Sequence, residues 1–510
     1  MNDLKLGIKD IPKKWYEWIL YPIQMLLAVF VATVLIANLC GTSISTCLIG
    51  ASIGTIIYEL ITGFKSPMFI SSCGATVSAV VSALLLGVCE SANGAHQIAL
   101  NAEQIAILIK NGLISETTTI GQVIDVTPQI ANVLHISLNY TAVVVGGLVI
   151  LAVYLIFALL VKFGGKKYFD KIFPPSIVGA VTIVIGLNLA GFIPGYVGMN
   201  SDHDTTAPML VALFTMFVTA IVTHFGKGFL KSISFLIGLL SGYLLAINLE
   251  ALGVYQFGIK QAFIDMQPFN INDFAVMQFK SSPFNVNQIG SIISLFLPVS
   301  ICAALEHYSD HKVLSNIVGK DLTQDPGLDR TLIGDGVASA VGTAICGLPN
   351  TSYGESIATI GFSKVASVWV TLASAILLGV MGFIPPVIAF VNSIPSAVFG
   401  GCSMILYGYI AASGLKTLIN NKVDLENSKN LIVVSVILTI GVSGVFLFST
   451  AFAGISLAMV VGVILNLLFN IHKKPNHKKL IELRSKSGIY EDSAEINYEE
   501  FMKGKKENKE

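Results

Sequence analysis

The chain has 510 residues, of which 54% are hydrophobic types and only 12% are charged; its 31 Lys and Arg residues balance its 31 Asp and Glu residues. A soluble protein carries about 25% charged residues, so this chain lacks the polar residues to cover the roughly three or four domains that its length would otherwise predict. The composition excludes a cytosolic enzyme, a secreted domain and a nucleic-acid-binding protein, and it predicts an all-α polytopic membrane protein in contact with the lipid bilayer.

Apolar stretches long enough to cross a bilayer recur along the whole chain. A spanning helix needs about 20 mostly apolar residues. Three segments are less clean than the others, because 68–88 and 332–348 are rich in Gly, Ala and Ser and 349–364 is short and polar. These three and eleven clearer stretches give fourteen predicted crossings. The eleven are 19–40, 44–62, 141–162, 173–194, 207–225, 231–249, 290–308, 367–391, 397–413, 430–447 and 452–470.

The positions of the cations predict the orientation. Fourteen is an even number, so both termini lie on the same side of the membrane. If that side is the cytoplasm, the cytoplasmic segments hold 28 of the 31 Lys and Arg residues. Inner loops of membrane proteins carry this excess. The sequence therefore predicts a cytoplasmic N-terminus at 1–18 and a cytoplasmic charged tail at 471–510 in the cell membrane. An insert at 89–140 and a loop at 250–289 are predicted to be extracellular.

Motifs of enzymes and ATP-driven pumps are missing from the sequence. The seven cysteines form no CxxC pair and no Cys/His cluster with metal spacing, so they predict neither a disulfide framework nor a zinc site. The sequence contains no phosphate-cradling loop of the Walker type. We therefore expect no enzymatic activity, no cofactor and no metal.

The fourteen crossings divide into two halves of seven. Because seven is odd, the second half is inverted relative to the first, an arrangement typical of transporters with broken helices at matching positions of the two halves. The third segment of each half matches this expectation. Residues 67–74 and 349–354 each begin with Pro, continue through a few strand-like or polar residues and end with Gly.

Ionisable residues within the apolar segments are candidates for function, because burying them in a membrane is costly. Glu306 and Asp310 are one turn apart on one helix face, and Glu355 follows the second broken segment. The alternative is that Glu306 and Asp310 mark a helix end, an interpretation that we prefer for Glu59 and Asp335. Helix N-termini bind carbonyl oxygens or anions, and a carboxylate beside them can accept N–H groups and carry a proton. These residues alone leave a small amide-like ring and an anion both open.

Several motifs near these carboxylates are specific as a set. With them the sequence resembles the nucleobase/ascorbate transporter family, most closely its bacterial uracil-permease branch, over about 19–88 and 141–470. The motifs are Glu306-His307 through Asn316-Ile317-Val318, Lys320-Asp321-Leu322, Asp325-Pro326-Gly327-Leu328, Asn350-Thr351-Ser352-Tyr353-Gly354-Glu355, Ile394-Pro395, Gly400-Gly401, Leu406-Tyr407-Gly408, Ala412-Ser413-Gly414 and Lys422-Val423-Asp424.

The resemblance implies a fold of two inverted seven-helix repeats, with short strands interrupting helices 3 and 10. A core domain would contain helices 1–4 at 19–163 and helices 8–11 at 290–391. A gate domain would contain helices 5–7 at 173–249 and helices 12–14 at 396–470. Members of the branch pair through their gate domains, which implies a homodimer.

The resemblance also implies where a substrate binds, between the two domains and against the strands. Proton coupling would involve Glu306 and Asp310. The carboxylates of Glu306 and Glu355 would hold the base, and the backbone amides around Cys73 and Gly354 would bind its carbonyls. The side chains of Ala32, Tyr353 and Tyr407 would line the site.

Three positions depart from the branch pattern. Cys73 stands where a Phe is frequent, Asp310 where some uracil permeases have His, and Gln24-Met25 where the family has Gln-His. The function implied is import of a nucleobase, most closely uracil, by proton symport with alternating access. The alternatives are a symporter for xanthine, uric acid or another purine and, more remotely, an anion transporter of the same fold, although an anion site would not keep two carboxylates facing its ligand.

Overall fold

The structure is a computed structural model, and it describes residues 4–89, 97–110, 123–164, 174–197, 199, 205–227, 229–264, 266–443, 445–447 and 449–471. Of the predicted cytoplasmic tail, all residues after Ile471 lie outside this described part, as does much of the predicted extracellular insert. Residues up to Val463 belong to one compact unit. A second unit begins at Ile464, and its described part is the end of the last helix.

Helices make up most of the described chain. Eight of them are long and apolar enough to cross a bilayer, or nine when one bent pair is counted as a span; this confirms a multi-pass helical membrane protein. In chain order they are α1 (Glu17–Cys40), α2 (Ile44–Thr62), α3 (Val77–Leu85), α4 (Ala102–Lys110), α5 (Pro128–Val133), α6 (Tyr140–Gly164), α7 (Pro175–Ala190), α8 (Ile193–Tyr196), α9 (Thr206–Phe225), α10 (Phe229–Ser232), α11 (Ser234–Ala251), α12 (Ile259–Ile264), α13 (Ile289–Val318), α14 (Leu328–Cys346), α15 (Gly354–Ser363), α16 (Val368–Gly382), α17 (Pro385–Asn392), α18 (Ser396–Asn420), α19 (Ser428–Ser443) and α20 (Ile455–Ile471).

Short strands pair in three antiparallel two-stranded sheets among the described residues. The first sheet joins distant parts of the chain, with Ile70 opposite Ser352 and Ser72 opposite Asn350. The second lies within the insert, and the third is a hairpin between α19 and α20, where the sequence predicted apolar crossings only. The strands are β1 (Ile70–Ser72), β2 (Gln97–Ala99), β3 (Val123–Asp125), β4 (Asn350–Ser352), β5 (Phe446–Leu447) and β6 (Ser449–Ala453).

Two predicted crossings differ from the observed helices. The segment predicted at 290–308 is the first part of α13, which continues to Val318 because its charged residues lie on buried or half-buried faces. The segment predicted at 367–391 contains α16 and α17, which meet at an angle of 82°. Pro385 stands at the first position of α17, where its missing N–H is tolerated, and it cannot continue the preceding helix.

The helices pack mostly within two sets. In one set, α2 packs against α14 and α16, α6 packs against α13 and α14, and α1 packs against α16. In the other, α7 packs against α18 and α19, and α9 packs against α11 and α18. Each set thus draws its helices from both the first and the second half of the chain. The paired strands β1 and β4 belong with the first set, since β1 contacts α2 and β4 contacts α14.

The insert contributes a cap to the first helix. Gln129 of α5 donates its side-chain amide to the carbonyl oxygens of Asn38 (2.7 Å) and Leu39 (3.0 Å). Asn132 donates to the carbonyl of Gly41 at 2.5 Å. The last carbonyls of a helix have no partner within it, so these two side chains satisfy the C-terminal end of α1.

Candidate functional site

The paired strands bring two helix beginnings together. A 3₁₀ turn (Gly74–Thr76) leads from β1 into α3, and α15 begins two residues after β4. The ladder extends beyond the strands, because Cys73 donates its N–H to the carbonyl of Pro349 (2.8 Å) and Tyr353 donates to that of Phe69 (3.1 Å). The N–H of Cys73 is therefore occupied, and binding of a ligand carbonyl by the amides around it stays a prediction.

Three of the predicted carboxylates lie around the end of β4. Glu306 and Asp310 share one face of α13 and Glu355 lies in the first turn of α15; all three are half-buried. Glu355 lies close enough to both Glu306 and Asp310 for its negative charge to act on them. The hydroxyl of Ser352 donates to the carboxylate of Asp310 at 2.8 Å. The structure thus brings these three acids together and places Glu306 near the middle of α13, not at its end.

The backbone between β4 and α15 borders open space. A Cβ added to Gly354 would meet no atom within 4 Å, and this glycine is exposed. The preceding Tyr353 is only 5% exposed and lies close to Glu355. The first N–H groups of a helix have no partner within it and carry its positive dipole end. The start of α15 therefore offers donors beside acceptors, facing an opening.

Helix α1 closes the other side of β1. The hydroxyl of Thr33 lies 2.7 Å from that of Ser71, and the neighbouring Ala32 is buried. Cys73 is 2% exposed and lies within electrostatic range of Glu306. Cys73 is therefore near the carboxylates, while a direct contact of Cys73 or Ala32 with a ligand stays a prediction.

Tyr407 lies in the other set of helices. It is buried on α18, where that helix packs closely against α7. A Cβ added to Gly186 of α7 would lie 2.7 Å from the carbonyl oxygen of Tyr407. Its hydroxyl has no hydrogen-bond partner among the described residues. The predicted role of Tyr407 in lining the site is not tested by this position.

A second polar cluster, which the sequence analysis missed, lies behind β4. Nδ1 of His307 is 2.7 Å from Oδ2 of Asp335, and neither side chain has any exposed surface. The interpretation of Asp335 as a charge at a helix end is wrong, because this residue lies two turns inside α14. Glu59 does lie in the last turn of α2, yet it is fully buried, and its carboxylate has no partner among the described residues.

The signal for this cluster was present in the sequence. His307 and His311 repeat the four-residue spacing of Glu306 and Asp310, shifted by one residue. One residue along a helix is a rotation of 100°, so the two pairs lie on adjacent faces of α13. The acids are half-buried, and the histidines contact Asp335 of α14 and Tyr58 of α2.

A cavity of about 380 Å³ lies elsewhere, at the end of α1 that the insert caps. Residues of both predicted extracellular segments line it, among them Gln129 and Asp273, together with the start of α2 and the bend between α16 and α17. None of the predicted substrate-contacting residues lines this cavity. Within the described part of the chain, no group of three or more His, Cys, Asp and Glu residues has the arrangement of a metal site.

Comparisons with known proteins show which family the chain is similar to. A family model described as a permease family, covering xanthine and uracil permeases, matches residues 16–450. The uracil permease of Bacillus subtilis is 34% identical over 91% of this chain and 95% of its own length. The uracil permease of Escherichia coli K12 is 31% identical over 92% and 95%, respectively.

Two solved structures are similar in fold. The transmembrane domain of the cyanobacterial bicarbonate transporter BicA aligns over 90% of this chain and 99% of its own, with a TM-score of 0.54 and 15% identity. SLC26A9 aligns over 89% of this chain and 65% of its own, with a TM-score of 0.58 and 12% identity. At these identities the likeness concerns the fold alone.

Proposed function

Because the chain belongs to the nucleobase/ascorbate family of permeases, we propose that it is a secondary active transporter that imports uracil by proton symport. Relatives named uracil permeases, about a third identical over nine-tenths of the chain, support the nucleobase as substrate. The observation that carries the proposal is the grouping of Glu306, Asp310 and Glu355 beside the N-terminus of α15.

The chemistry of this grouping suits uracil. The base presents ring N–H donors and carbonyl acceptors in alternation. Glu355 and Glu306 accept the N–H groups, while the amides at the start of α15, from Gly354, donate to a carbonyl. The hydrogen bond to ionised Glu355 is charge-assisted, and bonds of this kind are about twice as strong as neutral ones. Tyr353 and Cys73, with Ala32 and Tyr407, complete the walls in this proposal.

The same acids provide the coupling to protons. Three carboxylates that act on one another in a half-buried site repel each other when all are ionised, and binding a proton relieves that repulsion. In the proposed cycle Glu306 and Asp310 hold the proton while the base is bound. Loss of the proton on the inner side restores the repulsion among the three acids, and this repulsion disturbs the arrangement that holds the base and favours its release.

Transport requires the site to open to each side in turn. We propose that the fourteen crossings form a core domain (19–163 and 290–391) and a gate domain (173–249 and 396–470) that move against each other. The packing of the described helices in two sets supports this division. In this proposal the termini face the cytoplasm, the protein lies in the cell membrane, and two copies pair through their gate domains.

Two other substrates remain as competitors. A purine such as xanthine is favoured by Asp310 and by the small Cys73, two departures from the uracil-branch pattern. An anion is suggested by the fold, since BicA is a bicarbonate transporter. Three carboxylates around one opening would repel an anion, so uracil is the substrate that the site supports best.

A competition experiment distinguishes these substrates. Purified protein in proteoliposomes takes up radiolabelled uracil in the presence of excess unlabelled uracil, thymine, xanthine, uric acid or bicarbonate. We expect uracil to compete best and bicarbonate not at all. Stronger competition by xanthine than by uracil would assign the protein to purines, and strong competition by bicarbonate would contradict a nucleobase site.

A further inference from the structure

The cavity at the capped end of α1 has the size of a ligand site. Its volume of about 380 Å³ falls within the roughly 300–1,000 Å³ that is usual for small-molecule pockets. It lies apart from the proposed substrate carboxylates, because none of Glu306, Asp310 and Glu355 lines it. The cavity can therefore hold a ligand separately from the substrate site.

Three parts of the chain form the walls of this cavity. The end of α1 and the start of α2 form one wall, with Asn38 and Ser43. The segments predicted to be extracellular form the second, with Gln129 from the insert and Asp273 from the loop at 250–289. The bend between α16 and α17 forms the third. The cavity therefore lies on the side of the protein that the distribution of cations predicts to face the outside.

The polar groups at the cavity include both donors and acceptors. Gln129 donates its amide N–H groups to two carbonyls of α1, so its side-chain oxygen remains as an acceptor. Asn38 and Asp273 are half-buried, and their side chains form no hydrogen bond among the described residues. Pairing polar groups that are partly removed from water contributes to binding. A ligand with groups for an amide and a carboxylate therefore suits this space.

The charge of the lining favours a neutral ligand. Among the described residues, the lining contains one acid, Asp273, and no Lys, Arg or His, so an anion would find no opposite charge. Burial raises the pKa of the Asp273 carboxyl group. A metal cation takes several oxygen ligands and usually more than one carboxylate, whereas this lining offers a single one. A neutral ligand that donates an N–H to Asp273 fits these charges best.

Aromatic rings form the apolar side of the cavity. Phe269 and Phe383 both line it, and their ring centroids are 4.8 Å apart in an edge-to-face arrangement. Met266 adds an apolar side chain that adapts to irregular shapes. Aromatic rings interact favourably with one another in offset and edge-to-face arrangements. Amides, a carboxylate and phenyl rings around one space therefore favour a flat ring that carries N–H and C=O groups.

We propose that this cavity is a second, outer binding site, which takes one molecule of the nucleobase before it reaches the carboxylates. This inference rests on the proposed import of uracil and adds where the base first binds on the outer side. Helix α1 adjoins both sites. Asn38 lies at the cavity, and Thr33, which contacts Ser71 of β1, is five residues earlier and thus about 8 Å away along the helix axis.

Chemical labelling of a thiol at the cavity tests this proposal. Asn392 lines the cavity and is exposed, so Asn392→Cys places a thiol there and leaves the groups named above unchanged. The matched control is Asn287→Cys, the same substitution at an exposed residue of the loop at 250–289 that does not line the cavity. Both are made together with Cys89→Ser, because the other native cysteines are buried. The purified proteins react with a maleimide at increasing concentrations of uracil.

Uracil is expected to slow the labelling of Asn392→Cys and to leave that of Asn287→Cys unchanged. At about ten times its Kd for the cavity, uracil fills about nine in ten sites, so labelling should be about tenfold slower. Asp273→Asn should raise the uracil concentration that gives half-protection by about tenfold, because it removes a charged hydrogen-bond acceptor. Bicarbonate should give no protection. Labelling of Asn392→Cys that uracil does not slow would overturn the outer site.

A second acid-to-amide variant separates the outer site from the substrate site. Glu355→Gln changes the proposed substrate site and should leave half-protection of Asn392→Cys at the same uracil concentration. A shift with Glu355→Gln, or no shift with Asp273→Asn, would overturn the outer site, because protection would then not report contact with the cavity. Uracil that binds in calorimetry without protecting Asn392→Cys would overturn the outer site alone. Neither binding in calorimetry nor protection would overturn the proposed function as well.

Discussion

At the scale of single residues, the site depends on a few acids in a place where acids are costly. Glu355 lies at the start of α15, where the positive end of the helix dipole stabilises a negative charge. Glu306 lies within α13, not in the first turn of a helix, and it is near two other carboxylates. Glu355 is therefore suited to remain an acceptor for the base, and Glu306 is suited to change its protonation during the cycle.

The first prediction compares these two acids. Replacing Glu355 by Gln leaves a ring N–H of the base less well paired, a loss of about 1–3 kcal/mol, equivalent to about a ten- to hundredfold weaker affinity. Glu306→Gln should impair gradient-driven uptake at least as much as binding. Calorimetry with uracil and uptake in proteoliposomes measure the two effects. Wild-type affinity in both variants would show that the acids do not contact the substrate.

The second prediction uses the open space at Gly354. A Cβ there meets no protein atom within 4 Å, so Gly354→Ala should leave folding intact or improve it by about 0.5–1 kcal/mol. In a ligand site the added methyl group would displace the base, at a cost of about 1–3 kcal/mol in binding. Gly290→Ala, where a Cβ also meets nothing within 4 Å, is the control. Equal uracil affinities in the two variants would place the base elsewhere.

At the scale of elements, the predicted extracellular insert has a structural task. Its helix α5 caps the last carbonyls of α1 through Gln129 and Asn132. The residue that follows α1 has to be a glycine. Gly41 has a φ of +63°, and a Cβ there would lie only 2.9 Å from Pro128. The insert thus holds the end of the helix that also contacts β1.

The third prediction tests this cap. Gln129→Ala combined with Asn132→Ala leaves carbonyls of α1 unpaired and should lower stability by about 1 kcal/mol for each lost bond, seen as a lower melting temperature in detergent. The control is Gln104→Ala, a change within the same insert at a side chain that accepts a hydrogen bond from the N–H of nearby Asn101. The cap would have no role if the double variant melted together with this control.

A second tie between elements is electrostatic. Asp325, in the loop before α14, pairs with Lys65 after α2 and with Lys320 after α13. Hydrogen bonds from Lys320 and Lys65 lower the pKa of Asp325 to about 2. A carboxylate whose pKa is depressed in the folded state stabilises that state above its unfolded pKa and loses the contribution as the pH falls through the folded value.

The fourth prediction follows from this sign. Asp325→Asn should lower the melting temperature by the same small amount at about pH 8 and about pH 5, and the difference from wild type should shrink only below about pH 4. Lys65→Met should add little to Asp325→Asn, since Asp325→Asn already removes the pair that Lys65 forms. A difference that changes between the two higher pH values would show that another group carries the effect.

The sequence predicted the apolar helices well and the polar interior poorly. Hydropathy located α2 at 44–62 without error, because every turn of that helix is apolar and a glycine ends it. Hydropathy placed the end of α13 at 308, ten residues too early. An average of hydropathy over a stretch of residues cannot distinguish charged residues on a buried helix face from charged residues in solvent. The strands β1 and β4 are three residues long and pair across 280 positions of the chain (70 with 352, 72 with 350), so local pattern alone does not give their register.

The candidate site shows the same division. Glu306, Asp310 and Glu355 were identified because acids stand out in apolar segments, and the structure brings them together. His307 and Asp335 were not, since their significance arises only when α13 and α14 pack and place the two side chains 2.7 Å apart. Asp335 was interpreted as a helix end, because the spacing of His307 and His311 indicates a polar face of α13 but not that Asp335 of α14 packs against it.

At the scale of the whole molecule, the proposed transport cycle requires a motion between the two sets of helices. The acids and the paired strands belong to the set that contains α13 and α14, and Tyr407 belongs to the set that contains α7 and α18. A base held between them would be released when the sets separate on one side. Protonation of the acids would then decide on which side the base is held tightly.

The most direct test of the central claim is uracil accumulation by wild-type protein in proteoliposomes with an imposed inward proton gradient. The account predicts accumulation above the external concentration, which a protonophore abolishes and which does not occur when the pH is equal on both sides. Full accumulation driven by a sodium gradient alone, with no pH difference, would contradict it.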